Sequence, residues 1–259
     1  MAGALIAMPT LPTSWSQIHQ LADSPAIHTL SLDIFDTLLR RRLAPEHYRF
    51  LRIAEQVRRA LHQRGLERPR AEIFQARLLA AGMIYRAARD SEGDREGQHD
   101  RIVALQLHAL DLPESLAPLL INLEATYEIN AISPDTRVVA LANRARQRGK
   151  RVILVTDMYL RAQTIATILE AHGLRELAEA VYVSSEVGMT KRCGGLFQHI
   201  ISHECRPAGG YLHLGDNYHA DLLSARNLGW VAAWRPRPLL WRVINYGWNN
   251  VYRLYAAIT

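Results

Sequence analysis

The spacing of apolar and polar positions changes twice along this 259-residue chain. Residues 27–34 (IHTLSLDI) are a short run of Leu and β-branched residues ending on an acid, and they read as a buried strand. From Pro45 to about Asn130 the spacing turns helical. Tyr48, Leu51, Ala54, Val57 and Leu61 recur at helical intervals, as do Ile73, Ala76, Leu79 and Ala80, and residues 102–110 and 116–129 keep the same rhythm. Residues 90–100 (DSEGDREGQHD) are strongly polar and read as a solvated loop. After Pro134, strand and helix alternate. Helices expected at 134–148, 161–172, 195–203 and 218–227 separate strands expected at 150–155, 180–184, 211–214 and 229–234. This alternation predicts an α/β protein with a parallel sheet covered on both faces. Such sheets bind ligands beyond the carboxyl ends of their strands, so the residues found there carry the argument.

Composition narrows the field only a little. A hydrophobic fraction of 49% with 22% charged residues is that of a globular chain. The formal charge of +6 favours an anionic partner, whether phosphate ester, nucleic acid or acidic membrane surface. No long Lys/Arg tract and no zinc-finger spacing speak for nucleic acid, which is not expected as a partner. Cys193 and Cys205 form no CxxC, so neither a disulfide framework nor a Cys-rich metal site is indicated, and a cytoplasmic location is the simple expectation. The start, MAGALIAMPTLP, lacks the positively charged n-region of a signal peptide. No apolar run is long enough for a transmembrane segment.

The expected strand ends carry a constellation of polar groups. The first ends in Asp33-Ile-Phe35-Asp36-Thr37, the second in Thr156-Asp157, and a later one in Gly215-Asp216-Asn217, with Asp221 five positions after Asp216. Lys191 lies in the loop after strand 180–184. A parallel sheet brings such points to one crevice, where a carboxylate nucleophile, a hydroxyl, a lysine and further carboxylates make a phosphoryl-transfer set. Taken singly, each has a blander reading. Asp36 or Asp157 would cap a turn, Thr156 a helix, and Lys191 would be a solvated charge.

In order and spacing these residues resemble the motifs of the haloacid dehalogenase superfamily. DxxxT runs from Asp33 to Thr37, followed by Thr156, Lys191 and a GDxxxxD from Gly215 to Asp221. The likeness covers roughly residues 25–235. It implies a Rossmann-like core (1–39 and 134–238) with a helical cap (40–133) inserted after the first strand; beyond it, apolar spacing alone predicts a C-terminal amphipathic helix (239–259). The resemblance also implies roles. Asp33, Thr156 and Lys191 would be catalytic. Thr156, Asp157, Lys191 and Arg40 would bind substrate. Mg²⁺ would be held by Asp33, the Phe35 carbonyl, Asp216 and Asp221, the last as second ligand or as support.

One position departs from the family. Its phosphatases carry an acid–base Asp two residues after the nucleophile, where this chain has Phe35. Asp36 stands one residue further on, so its side chain should leave the strand end in another direction. Dehalogenase and phosphonatase members also lack that Asp. Dehalogenases need no metal, however, and the complete GDxxxxD disfavours halide displacement. A Mg²⁺-dependent hydrolase acting on a phosphorylated small molecule is the first expectation. The alternative is a catalytically weak or silent domain acting as scaffold or regulator. The strings SLDIFDTLLRR, VTDMYL, SSEVGMTK and HLGDN are also similar to hydrolase-type domains of bacterial cell-surface polysaccharide clusters, found beside or fused to glycosyltransferases. That similarity implies a sugar phosphate, nucleotide sugar or lipid-linked glycan, and a glycosyltransferase partner.

Outside the motifs, Arg40, Arg41 and Arg42 would either close over an anionic substrate or form a solvated helix start. Glu124 and Glu128 read as an exposed pair on one helix face, with binding of sugar hydroxyls or a metal as the alternative, and His213 as a packed core residue rather than a catalyst. Trp241, Ile244, Trp248, Val251, Tyr255 and Ile258 form an apolar seam expected to pack on its own domain, with docking to a partner or membrane as the alternative.

Overall fold

The structure, a computed structural model, describes residues 11–90 and 96–258. The described chain opens with α1 (Trp15–Asp23), started by a capping box in which Ser14 Oγ accepts from the Gln17 amide and Gln17 Oε1 accepts from the Ser14 amide. β1 (Thr29–Leu32) leads to a short β2 (Leu39–Arg41), and the chain then runs through α2 (Glu46–His62), α3 (Arg70–Asp90), α4 (His99–Ala109) and α5 (Ala117–Ala131). β3 (Ile132–Pro134) returns it to the core. There follow α6 (Thr136–Gln147), β4 (Arg151–Thr156), α7 (Ala162–Ala171), β5 (Ala180–Val183), α8 (Ser184–Val187), α9 (Gly195–Glu204) and β6 (Tyr211–Gly215). A π-helical turn (Tyr218–Leu223), α10 (Ser224–Asn227), β7 (Val231–Trp234) and α11 (Leu239–Ile258) complete it.

The sheet has five parallel strands in the order β5-β4-β1-β6-β7. Side chains alternate between its faces, so one strand feeds two cores. Val152 and Leu154 of β4 pack with α1, α6 and α7, while Ile153 and Val155 pack with α9 and α10. With both faces covered, β1 is buried at every position, the Thr and Ser of its TLSL sequence as fully as the two leucines. Leu32 stands level with Leu154 and Leu214, so the segments after β1, β4 and β6 emerge together at one edge.

The helices α2 to α5 form an insertion after β1 with an apolar core of their own, centred on Phe50, Ile53, Val57, Phe74, Leu107 and Leu120. Its two connections to the core are zipped together as an antiparallel ribbon, Leu39 opposite Pro134 and Arg41 opposite Ile132. This is the α/β fold with a parallel sheet and an inserted helical region that the pattern predicts.

Four expectations are corrected. The polar stretch 90–100 is not loop throughout: His99 starts α4 and is buried, while residues 91–95 lie outside the described residues. Leu79 is exposed, because the buried side of α3 runs through Ile73, Ala76, Arg77 and Ala80. The expected helix 218–227 begins as a π-helical turn. The seam on α11 is not buried along its length: Trp241 and Ile244 are half-buried but Trp248 and Val251 are exposed, and the side chains of Tyr255 and Ile258 lie outside the described residues. α11 packs against α2 and α3, with Tyr252 meeting Tyr48 at 5.2 Å between ring centroids. Among the described residues no helix is long and apolar enough to cross a membrane.

Candidate active site

Asp33 follows β1 directly, and its amide still donates to the Leu214 carbonyl of β6, so the sheet fixes where the carboxylate begins. The chain then turns sharply. Asp36 has φ +63°, a left-handed conformation that Asp tolerates better than most residues, and Asp36 N donates to Leu39 O while Leu39 N donates to Ile34 O. The Asp36 carboxylate leaves toward Arg41, accepting from its Nη1 at 3.3 Å. Phe35 itself is buried, with the Arg41 guanidinium 4.4 Å from its ring centroid.

Lys191 is the hub. Its Nζ donates to Asp33 Oδ1 at 2.7 Å and to Asp221 Oδ1 at 2.6 Å, and it is 3% exposed. Its position is set by Asp157, whose carboxylate accepts from the Lys191 amide at 2.7 Å and from the Arg192 amide at 3.3 Å. Asp157 therefore holds the lysine loop with its side chain, a use that its place in the sequence did not suggest. Thr156 is buried at the end of β4, level with Val183. Asp216 is half-buried, and its carbonyl accepts from Trp234 Nε1 at 2.8 Å. Asn217 caps the π-helical turn, its side chain accepting from the His219 and Ala220 amides, and that turn carries Asp221 inward.

The electrostatics follow from this crowding. Burial pushes Asp33 up to about 7, with Asp221 adding repulsion and Lys191 opposing both. Burial and the charges of Asp33, Asp221 and Asp36 push Asp216 up to about 8. Asp221 is held below the usual carboxylate range in spite of burial, because Lys191 and His213 both favour its charged form. Lys191 is raised by Asp221, Asp33 and Asp157, which together outweigh its own burial. Asp33, Asp216 and Asp221 each offer an oxygen within 4.8 Å of the others. The Lys191 ammonium bonds Asp33 and Asp221 while Asp216 stands beside them, and an all-oxygen set of this kind suits a hard divalent cation such as Mg²⁺.

The structure thus brings together Asp33, Lys191, Asp157, Asp216 and Asp221. It does not bring Arg40 to them: Arg40 Nε is ion-paired to Asp135 at 2.6 Å. Glu124 and Glu128 are corrected outright, since both are buried. Glu124 accepts from Arg77 Nη2 and is bonded to His99 Nε2, both at 3.0 Å, and from the Tyr159 hydroxyl. Glu128 accepts from Arg49 Nη1 at 2.7 Å and Arg41 Nε at 3.2 Å. Sequence reasoning missed these partners because they come from other elements. His213 is a core residue, as expected, but it also touches Asp221, with Nε2 to Oδ1 at 3.1 Å. Arg237, buried beside the loop after β1, donates to the Arg41 carbonyl at 2.6 Å and was not foreseen.

Comparison with known proteins places this geometry. Residues 27–229 match the family model for haloacid dehalogenase-like hydrolases. Among solved structures, the HAD-hydrolase YfnB from Bacillus subtilis, bound to magnesium, is 17% identical with TM-score 0.50, over 83% of this chain and 91% of that one. A 2-haloacid dehalogenase from Pseudomonas syringae is 15% identical with TM-score 0.56, over 80% and 86% of the two chains. A HAD phosphatase from Thermococcus onnurineus is 16% identical with TM-score 0.54, over 82% and 88%. At these identities the likeness is one of fold. No curated protein gives a significant match.

Proposed function

The chain belongs to the haloacid dehalogenase-like hydrolases, and from that premise we propose that it is a Mg²⁺-dependent phosphohydrolase with Asp33 as nucleophile, acting on a phosphorylated small molecule. The observation that carries this reading is the buried Asp33–Lys191–Asp221 bridge with Asp216 beside it. An ammonium that touches the attacking carboxylate restrains its repulsion from a phosphate dianion and keeps it oriented for attack.

Asp33 attacks phosphorus and the bond to the leaving group breaks with its electron pair, leaving an aspartyl phosphate that water then hydrolyses. The Thr156 hydroxyl and the Asp157 amide hold phosphoryl oxygens, and Lys191 offsets their charge. Asp33, the Phe35 carbonyl and Asp216 would hold the cation, with Asp221 completing the acidic cluster. When bound, Mg²⁺ supplies charge neutralisation between the carboxylates and the phosphoryl group. The helical insertion 40–133 is read as the cap that sets specificity.

Phe35 shapes the substrate. A positioned acid is worth about two to four orders of magnitude in rate, and the nearest side-chain acid after Asp33, Asp36, is turned to Arg41. The best substrates then have leaving groups that need no proton, such as acyl phosphates or sugar-nucleotide-like diphosphates. The wording of the motifs supports a glycan-linked compound and a glycosyltransferase neighbour engaged through α11. The buried Phe35 ring favours one alternative, a weakly active or silent domain serving polysaccharide synthesis as scaffold or regulator.

The test is a panel of phosphomonoesters, phosphonates and acyl phosphates, with and without Mg²⁺, on the wild type and Asp33→Asn. The wild type should turn over an acyl phosphate only with Mg²⁺, and Asp33→Asn should not. Equal rates would sink the nucleophile, and activity without Mg²⁺ would remove the cation. Phe35→Asp should raise turnover of simple monoesters.

A further inference from the structure

Asp216 and Asp221 come from one motif but face different surroundings. Asp216 is half-buried, whereas Asp221 is 1% exposed. Asp221 Oδ1 takes the Lys191 ammonium at 2.6 Å and His213 Nε2 at 3.1 Å, and Oδ2 accepts from the Asn217 amide at 2.8 Å. A carboxylate has about four acceptor positions, so about one is left. That one is on Oδ2, the oxygen pressed against Gly215: a Cβ there would lie 2.3 Å from Oδ2 and 2.2 Å from Asp221 Cγ. The π-helical turn gives the side chain this inward aim.

Behind Asp221 the arrangement continues. His213 Nδ1 lies 2.8 Å from Ser31 Oγ, and both residues are fully buried. They stand level with each other on the neighbouring strands β1 and β6. Carboxylate oxygens only accept, so His213 must carry its proton on Nε2, which leaves Nδ1 to accept from the Ser31 hydroxyl. Phe197 at 5.0 Å and Trp230 at 6.3 Å meet the imidazole edge-on and fix its plane. The order Ser31, His213, Asp221, Lys191, Asp33 is one continuous line of contacts ending at the nucleophile.

We propose that Asp221 is the socket for the Lys191 ammonium rather than a direct ligand of the cation, and that the buried Ser31–His213 pair is the positioning device that fixes that socket. The proposal rests on the phosphohydrolase reading above and divides the labour of its acidic cluster. Asp33 and Asp216 face the cation. Asp221 faces the lysine, and His213 keeps it from rotating toward the cation.

The test uses the full chain. Mg²⁺ titration calorimetry is run on the wild type, Asp216→Asn, Asp221→Asn, His213→Leu and His213→Gln, with acetyl phosphate turnover measured on the wild type and both His213 variants. Asp216→Asn should weaken Mg²⁺ at least tenfold, while Asp221→Asn and His213→Leu stay within a few fold. His213→Leu should lower kcat by about 10–100-fold, up to the scale on which a misplacement of about 1 Å at the reacting groups costs rate, with little change in KM. His213→Gln, which keeps a donor in reach of Asp221, should recover most of it. Loss of Mg²⁺ binding by Asp221→Asn equal to that of Asp216→Asn overturns the socket. Unchanged kcat in His213→Leu overturns the positioning role. Should the Leu variant not fold, His213→Gln and long-range ¹⁵N NMR of the wild-type imidazole still decide, because a proton on Nδ1 contradicts the proposal. A wild type that neither binds Mg²⁺ nor shows Asp33-dependent turnover sinks the phosphohydrolase reading instead, and the imidazole spectrum then judges the Ser31–His213–Asp221 line alone.

Discussion

At the scale of single residues, Gly215 shows why a motif glycine is needed. Its backbone is not left-handed; what it provides is space, filled by the Asp221 carboxylate against its α-carbon. Gly215→Ala should therefore push Asp221 off Lys191 and destabilise the fold by about 1–3 kcal/mol, the usual range for overpacking a filled interior. Urea unfolding measures this, and an unchanged midpoint would contradict the packing described. The polar residues at the strand ends were legible in sequence because a carboxylate, hydroxyl or lysine stands out against an apolar run. His213 was only half legible. Strand alternation says that it points inward, but its partner Ser31 lies 182 positions away on another strand, and no local pattern records that.

At the scale of elements, the helices joined to the core carry a buried charge network. Glu124 of α5 binds Arg77 of α3, His99 of α4 and Tyr159 of the loop after β4, so one carboxylate ties three insertion helices to the segment following Thr156 and Asp157. Read along α5 alone, Glu124 and Glu128 are a charged pair, and such pairs are mostly solvated. Their arginines lie 47 to 87 positions away, which is why burial could not be foreseen. Removing one member of a buried pair leaves the other uncompensated, so Glu124→Ala should cost about 3–5 kcal/mol. The pH dependence has a definite sign. Burial alone would raise Glu124, but Arg77 and His99 outweigh it and hold the carboxyl well below its ordinary value. Its contribution is then complete above the unfolded value of about 4.3 and is lost as pH falls from there toward the lower folded value. Unfolding free energies from pH 7 down to 3 should fall more steeply for the wild type than for Glu124→Gln. Parallel curves would show that the pair does not titrate with folding.

At the scale of the whole molecule, α11 stands apart from the sheet that organises everything else. Leu239, Leu240, Val243, Trp248 and Val251 are exposed, and the helix reaches the rest of the chain through α2, α3 and the stack of Trp241 on Arg237 at 4.3 Å. Arg237 precedes α11 and makes the contact that matters to the site, donating to the Arg41 carbonyl beside Asp36. A chain ending at Pro238 would keep Arg237, the five-stranded sheet and the core of the insertion, and would lose the α11 contacts with α2 and α3 and the Trp241 ring on Arg237. It should remain folded, with loss of about 1–2 kcal/mol, equivalent to roughly 2–8 °C in Tm for a chain of this size. Asp33-dependent turnover should persist, because among the described residues nothing that bonds Lys191, Asp33 or Asp221 comes from α11. Thermal melts of the shortened and full chains decide this. A shortened chain without a cooperative transition would mean that the apolar seam is structural along its length. A folded, active one would leave the exposed face of α11 free for another surface.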